Sequence, residues 1–119
     1  MNIYNIFKKK IKKNKNCYLN GELYSYKRIL YDVDIFANFL VNEKIFKLAV
    51  ISNEVYDYII SYLAISKIKS TIIPINFSAN EKQIKLQLKI SNPTGILISK
   101  NYNFKKKNYK TFSLIDILS

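Results

Sequence analysis

Uninterrupted apolar runs along the chain predict strands that are covered on both faces. They comprise Leu48 to Ile51, Thr71 to Ile75 and Gly95 to Ile98, and none of them alternates regularly between apolar and polar positions. Strands without such alternation are typical of parallel sheets, whose two faces are both buried. The pattern therefore predicts a sheet of three parallel strands.

A helix is predicted before the first of these strands. The apolar side chains that follow the helical period there are Ile29, Val33, Phe36 and Leu40. Ser25 is placed as the N-cap, since a serine hydroxyl can accept a free N–H of the first turn, and the helix is expected to run to about Val41. Arg28 stands where a capping box has Glu or Gln, so one reciprocal bond is missing. This helix is expected to pack against the sheet.

A second helix is predicted from about Glu54 to Lys67. Its N-cap is expected at Ser52 or Asn53, and acidic side chains in its first turn suit the helix dipole. The side chains expected on its buried face are Val55, Ile59, Tyr62 and Leu63.

A third helix is predicted through about Ile90. Ser78 and Glu81 have the spacing of a capping box, and Asn92-Pro93 ends the helix. Strand, helix and strand in this order form right-handed βαβ units, which bring the strand ends, and any ligand crevice, to one edge of the sheet.

The N-terminal residues are predicted to form a short basic helix followed by a hairpin. Ile3, Phe7 and Ile11 recur every four residues as one apolar stripe, which is expected to dock on the domain. Asn20-Gly21 lies between two short apolar segments and predicts a β-hairpin with a type I′ turn. Contact of the basic helix with a membrane surface is the weaker alternative, because three apolar anchors hold a bilayer poorly.

These elements define an α/β fold class, with a three-layer parallel sheet, βαβ crossovers and a preceding hairpin. The 119 residues form one partial domain. Its parts are a basic N-terminal helix (1–16), the hairpin and β-α-β-α-β core (17–99), and a basic loop with a terminal strand or helix start (100–119). Three strands leave an open edge that intact proteins normally cover, so the chain is expected to be incomplete.

The composition removes several kinds of chemistry. The chain has no histidine, one cysteine and two glycines 74 positions apart, Gly21 and Gly95. These numbers exclude a Ser-His-Asp triad, a His/Cys zinc site, an internal disulfide and both glycine-rich phosphate loops. Cys17 is interpreted as a half-buried packing residue, and Asp32 and Asp34 are too differently oriented on their helix to act as an acid/base pair. No catalytic, cofactor-binding or metal-binding residue is assigned in this chain.

The net charge of +12 raises the question of an anionic partner. Only Arg28 among the 20 basic residues is an arginine, and arginine leads in bidentate phosphate recognition, so solvated lysine faces are favoured over nucleic-acid binding. The tyrosines at 24, 26, 56, 58 and 62 are interpreted as packing residues. A cytoplasmic location is expected, because the N-terminus reverses the order of a secretory signal and no apolar stretch reaches the roughly 20 residues of a transmembrane helix.

Residues 18 to 99 resemble the N-terminal part of the adenylate-forming (AMP-binding) enzyme superfamily. The matching motifs, in chain order, are Asn20-Gly21, Ser25-Tyr26, Ala37-x-x-Leu40, Leu63-Ala64-Ile65-Ser66-Lys67, Ile73-Pro74-Ile75-Asn76, Glu81-x-x-Ile84 and Ser91-x-Pro93. Asn76-Phe77 replaces the Leu-Asp-Pro usual in peptide synthetases, which favours the acyl-CoA synthetase branch. Lys69 stands where the family usually has a left-handed glycine, and Pro74 is expected near the end of its strand.

The resemblance implies an enzyme that uses ATP and Mg²⁺ to activate a carboxylate as acyl-AMP and then forms a thioester. The family's phosphate loop, magnesium-binding acid, ribose-binding Asp and C-terminal domain are expected beyond Ser119. The isolated chain is therefore expected to be inactive, and the missing remainder of the enzyme is its expected partner. A small basic nucleic-acid-binding module and an interaction subunit are the alternatives.

Overall fold

The computed structural model describes residues 3–10, 16–19, 21–100, 102 and 108–119. Within these residues the chain forms a four-stranded parallel sheet, a separate β-hairpin and five helices. In chain order the elements are α1 (Ile3–Lys10), β1 (Asn16–Leu19), β2 (Glu22–Ser25), α2 (Tyr26–Asn42), β3 (Lys47–Ile51), α3 (Val55–Lys67), β4 (Thr71–Pro74), α4 (Glu81–Ser91), β5 (Gly95–Ile98), β6 (Thr111–Phe112) and α5 (Leu114–Leu118). Within these ranges, no helix combines the length and apolar character needed to cross a bilayer.

The strand order in the large sheet is β4-β3-β5-β6, with every neighbouring pair parallel. The chain leaves β3 in one direction to form β4 and then returns across it to form β5. This reversal places a topological switch point between β3 and β5. The predicted α/β class with parallel strands is confirmed, and the terminal segment supplies both a fourth strand and a short helix.

Successive side chains of the strands point into two separate cores. The large core contains Tyr4, Ile29, Val33, Phe36, Ala37, Leu40, Ile45, Leu48, Val50, Ile60, Leu63, Ala64, Ile65, Leu97 and Leu114. The small core contains Ala49, Ile51, Ile75, Ile84, Leu88, Ile96 and Ile98. Since neighbouring strand residues point to opposite faces, α2, α3 and α5 cover one face and α4 covers the other.

The hairpin and the start of α2 are confirmed. Strands β1 and β2 pair antiparallel, with Leu19 opposite Glu22, and Gly21 has a φ of 84° that suits glycine. Asn20, the other half of the expected turn, lies outside the described residues. The Ser25 hydroxyl accepts the Arg28 N–H at 3.1 Å, as expected of an N-cap.

Two predicted helix starts are wrong. Glu54, and neither Ser52 nor Asn53, is the N-cap of α3. Asn80 caps α4 and forms a reciprocal capping box with Gln83, so the Ser78–Glu81 box does not form. The Ser78 N–H instead donates to the Asn76 side chain at 2.9 Å, which keeps Ser78 in the preceding turn.

Two buried faces also differ from prediction. In α3, Val55 and Tyr62 are exposed, whereas Ile60 and Ser61 are fully buried, because α1, α2 and the sheet contact this helix from several sides. In α1 the buried residue is Tyr4, while Ile3 is 54% exposed, so the predicted stripe is rotated. Docking of α1 on α3 is confirmed, with the Tyr4 N–H donating to Ser66 Oγ at 3.1 Å. Ile11 lies outside the described residues.

Strand β4 lies at the edge of the sheet and is only half-buried, which corrects its prediction as a buried strand. Pro74 ends it, as predicted, and an edge strand tolerates proline because its outer N–H needs no partner. Lys69 adopts a φ of 55°, so the left-handed conformation occurs at the position where the resembled family has glycine.

Candidate functional site

Three buried serines follow directly after three neighbouring strands at the carboxyl edge of the sheet. Ser52 follows β3, Ser99 follows β5 and Ser113 follows β6, with exposed fractions of 2%, 6% and 8%. We call them the serine row. Ligands of open α/β sheets bind beyond this edge where the strand order reverses, and the reversal here lies between Ser52 and Ser99. The serine row is therefore a candidate functional site.

Ser52 stabilises the first turn of α3. Its hydroxyl donates to Asp57 Oδ2 at 2.7 Å and accepts the Glu54 N–H at 2.9 Å. The Ser52 N–H donates to the Tyr58 hydroxyl at 3.4 Å. A hydroxyl that is buried and doubly bonded is held in place and closed to a substrate, so Ser52 has the properties of a structural residue.

Asp57, in the first turn of α3, has a carboxyl pKa that departs from its ordinary value. Burial raises the pKa of its carboxyl, the hydrogen bond from Ser52 lowers it, and the neighbouring Glu54 charge raises it further. A raised pKa is a property that general acids share, but here the carboxylate is engaged by Ser52. With no histidine in the chain, Ser52 and Asp57 lack the imidazole that links serine and aspartate in a triad.

Ser99 differs from the other two members of the serine row. Its N–H donates to the Ile51 carbonyl at 3.1 Å, and its carbonyl accepts the Tyr102 N–H at 2.9 Å. Its hydroxyl oxygen has no hydrogen-bond partner within the described part of the chain. Ser61 on α3 has a second such hydroxyl, so this feature is not confined to the carboxyl edge.

Ser113 caps α5 and so belongs to a local structural network. Its hydroxyl accepts the Asp116 N–H at 3.3 Å, and Lys100 pairs with the Asp116 carboxylate at 3.1 Å. The Ser113 hydroxyl and the Lys100 ammonium lower the pKa of Asp116. This ion pair connects the segment after β5 to the helix after β6.

The acidic residues singled out from the sequence have separate partners. Asp32 accepts a hydrogen bond from the Tyr56 hydroxyl, and Arg28 approaches it at 3.7 Å. Asp34 pairs instead with Lys67. The two carboxylates thus attach α2 to α3 at two different points. Cys17 is half-buried in the hairpin, where it packs against the large core.

The described residues do not gather their metal-binding side-chain types into one group. Among them, no three His, Cys, Asp or Glu side chains are grouped so that they could hold a metal ion. Asp57 and Asp116 at the carboxyl edge are engaged by a hydroxyl and an ammonium. Gly21 and Gly95 are 74 positions apart, so they do not belong to one glycine-rich phosphate loop.

The serine row was missed in the sequence although a signal for it exists. Ser52 and Ser99 each directly follow the apolar run of a strand, so the sequence marks the carboxyl edge twice. Ser113 follows the two-residue strand Thr111–Phe112, which has no such run. The Tyr56–Asp32 bond has no comparable signal, because it depends on how α2 and α3 pack.

Comparison with known proteins identifies the fold. No family model and no curated protein matches the chain. The chain does match the N-terminal subdomain of Klebsiella oxytoca NpsA, a structure in complex with anthranilyl-AMSN, with a TM-score of 0.82 and 15% identity. That match covers 98% of this chain and 32% of the NpsA chain.

Two other solved structures show the same likeness. An artificially fused adenylation-PCP di-domain of NpsA and ThdA matches with a TM-score of 0.81 and 14% identity, over 98% of this chain and 23% of that one. A Rhodopseudomonas palustris protein described as a long-chain-fatty-acid CoA ligase matches with a TM-score of 0.80 and 12% identity, over 98% and 36%.

The chain therefore has the fold found in the N-terminal subdomain of adenylation enzymes, with its hairpin and four-stranded parallel sheet. It spans about a third or less of the length of the NpsA chains named above. The resemblance of residues 18 to 99 to the N-terminal part of adenylate-forming enzymes is confirmed at the level of fold.

Proposed function

We propose that this chain provides the N-terminal scaffold of an adenylate-forming enzyme of the acyl-CoA synthetase type. The observation that carries the proposal is the match of 98% of the chain to about a third of the NpsA subdomain, at a TM-score of 0.82. Sequence motifs in the same order support it independently. The parent reaction would convert a carboxylate and ATP into acyl-AMP and then into a thioester.

The polar groups at the carboxyl edge support a scaffolding role. Ser52 and Ser113 hold the first turns of α3 and α5, and Lys100 holds Asp116. These side chains stabilise the sheet edge and leave no free acid, base or metal ligand among them. ATP and Mg²⁺ would then bind to parts of the enzyme that this chain does not contain.

The isolated chain should consequently fail to adenylate any carboxylate. Stabilising the charge that develops at the α-phosphate, when the carboxylate attacks it and pyrophosphate leaves, needs aimed donors or a metal ion. The test is ATP–pyrophosphate exchange with the purified chain and a panel of aliphatic and aromatic carboxylic acids. Exchange equal to the buffer blank is expected, and turnover above it would overturn the proposal.

The partner in this proposal is a polypeptide that carries the rest of the enzyme. The outer edges of β4 and β6 present backbone groups on which a sheet can be extended. Co-expression with the coding sequence that follows should yield a copurifying complex with exchange activity. A complex that forms but stays inactive with every acid, or a second polypeptide that is active without this chain, would contradict the scaffold role.

A further inference from the structure

A basic groove runs along the outer side of α4, on the sheet face away from α2 and α3. The groove is open to solvent and has a volume of about 480 Å³. The residues that line it are Lys82, Lys85, Leu86, Lys89, Asn108 and Tyr109. The Tyr109 hydroxyl donates to the Leu88 carbonyl at 3.4 Å, which fixes one wall of the groove to the helix.

The groove combines positive charge with exposed apolar surface. The three lysines are three, four and seven positions apart, so they share one face of α4. Glu81 is the only acidic residue of α4, and it pairs with Lys85 at 3.0 Å, mostly in solvent. Between the lysines, Leu86 is 58% exposed, and Ile90, one turn further along, is 75% exposed.

The combination of lysines and exposed aliphatic side chains favours one kind of binding partner for the groove over others. A second copy of the chain would bring a further net charge of +12, and Asp32, Asp34, Glu43, Glu81 and Asp116 already pair within their own molecule. A bilayer would meet only two exposed aliphatic side chains on an eleven-residue helix. Single-stranded nucleic acid favours exposed aromatic platforms, whereas the exposed apolar side chains of α4 are aliphatic. The one aromatic ring that lines the groove, Tyr109, is half-buried and bonded through its hydroxyl to α4.

We propose that the α4 groove is the docking site for an acidic, amphipathic segment of a protein partner. Carboxylates of the segment would pair with Lys82, Lys85 and Lys89, while an apolar side chain between them would cover Leu86. Attraction between the carboxylates and the lysines speeds association and fixes the position of the segment along α4. Burial of Leu86 adds an apolar contact that a segment with only acidic side chains would not make. This inference does not depend on the proposed adenylation scaffold.

The probe is a fluorescein-labelled peptide of Glu-Glu-Leu repeats, with a Glu-Glu-Gly peptide of equal charge as its control. Binding is measured by fluorescence anisotropy on the full chain at near-physiological salt. The leucine peptide should bind more tightly than the glycine peptide. Equal affinity of the two peptides would overturn the proposal.

Two triple variants distinguish binding in the groove from general attraction to the positive charge of the chain. Lys82→Gln/Lys85→Gln/Lys89→Gln removes three charges from the groove. The matched control Lys8→Gln/Lys9→Gln/Lys27→Gln removes three exposed charges elsewhere and gives the same net charge. The groove variant should lose about tenfold in affinity and the control about twofold, as expected for the loss of several exposed pairs against a screened field. Equal losses would overturn the proposal.

A charge-neutral variant tests the apolar contact. Leu86→Ser should weaken the leucine peptide by roughly fivefold and leave the glycine peptide unchanged, since the side chain is exposed and its burial occurs only in the complex. No change with either peptide would overturn the proposal. So would tighter, groove-dependent binding of oligothymidylate or of phosphatidylserine vesicles, which would assign the surface to nucleic acid or to membrane.

Discussion

The two faces of the sheet are covered by layers of different thickness. One face is covered by α2, α3 and α5, with α1 packed on α3 behind them, and its large core includes fully buried side chains from helices and strands alike. Within the described residues, α4 is the helix that covers the other face, where Ile84 and Leu88 are its buried side chains and partly buried residues such as Phe77 and Tyr109 pack beside them. The same strands thus contribute to one thick and one thin layer. Helix coverage, more than strand composition, decides how much each face stabilises the fold.

The strongest test of this difference is the same deletion on both faces. Leu40 and Leu88 are both fully buried, one in the large core and one in the small core. Leu40→Ala should cost about 4 kcal/mol and Leu88→Ala about 2 kcal/mol of unfolding free energy, because the cavity in the thicker layer cannot collapse. Urea unfolding followed by circular dichroism measures both. An equal or reversed order would contradict the comparison.

Overfilling the thick layer is expected to be nearly as damaging. A Cβ atom at Gly95 would lie 2.9 Å from two side-chain carbons of Ile45, which is fully buried. Gly95→Ala should therefore cost about 3 kcal/mol, at the upper end for overpacking. The double variant Gly95→Ala/Ile45→Ala should be more stable than the sum of the single effects predicts. Strict additivity in chemical denaturation would contradict the steric explanation.

The hydrogen bond that joins α2 to α3 sharpens the comparison, because the side-chain bond to α4, from the Tyr109 hydroxyl to the Leu88 carbonyl, is long at 3.4 Å. Burial, together with the hydrogen bond to Asp32, raises the pKa of the Tyr56 hydroxyl, so the group stays a donor over the whole range of folding experiments. Tyr56→Phe should cost about 1 to 2 kcal/mol. Tyr58→Phe, which loses a longer contact to the Ser52 N–H, is the control and should cost less. Thermal unfolding gives both values.

A substitution in the turn between α3 and β4 is expected to stabilise the protein. Lys69 has a φ of 55°, which costs an L-residue with a side chain about 1 kcal/mol relative to glycine. Lys69→Gly should therefore raise the unfolding free energy by about that amount. Lys69→Ala removes the same charge but keeps the Cβ atom, and it should give no gain. Equal stabilisation by both variants would attribute the effect to charge.

The smallest expected effect is a pH dependence at the start of α3. Burial raises the pKa of Asp57 above its ordinary value of 3.8, so the folded state holds this proton more tightly than the unfolded state. The stability of the wild type relative to Asp57→Asn should fall as the pH rises from 3.8 through the raised pKa. Urea midpoints over this range provide the measurement.

Asp116 should behave in the opposite way and serves as the control. Its pKa is lowered by the Ser113 hydroxyl and then by Lys100, so its contribution is present above the ordinary value of 3.8 and lost as the pH falls through the lowered pKa. The stability of the wild type relative to Asp116→Asn should therefore increase as the pH rises towards 3.8. Parallel trends for the two variants would refute these assignments.

Much of the fold follows from local patterns. The runs Leu48 to Ile51 and Gly95 to Ile98 are buried strands, as predicted, because each face of a parallel sheet needs apolar cover. Ser25 caps its helix and Asn92 ends α4 in the left-handed conformation, since both features depend on residues within one turn. The expected absence of a catalytic residue in this chain stays a prediction.

Other features depend on contacts between distant parts of the chain. The N-cap of α4 went to Asn80 because Ser78 was taken up by the turn after β4. The buried face of α3 could not be read from its periodicity, since α1 and α2 approach it from different directions. The members of the serine row become neighbours only when β3, β5 and β6 lie side by side.

By itself, the sequence determined which segments become strands and helices, where the hairpin turns and which chemistries are excluded. Those features depend on local periodicity, turn residues and the residue types present. The tertiary structure alone decided the strand order β4-β3-β5-β6, the thick and thin faces and the groove on α4. The physical reason is that packing selects among arrangements that are locally equivalent, by the apolar surface each one buries.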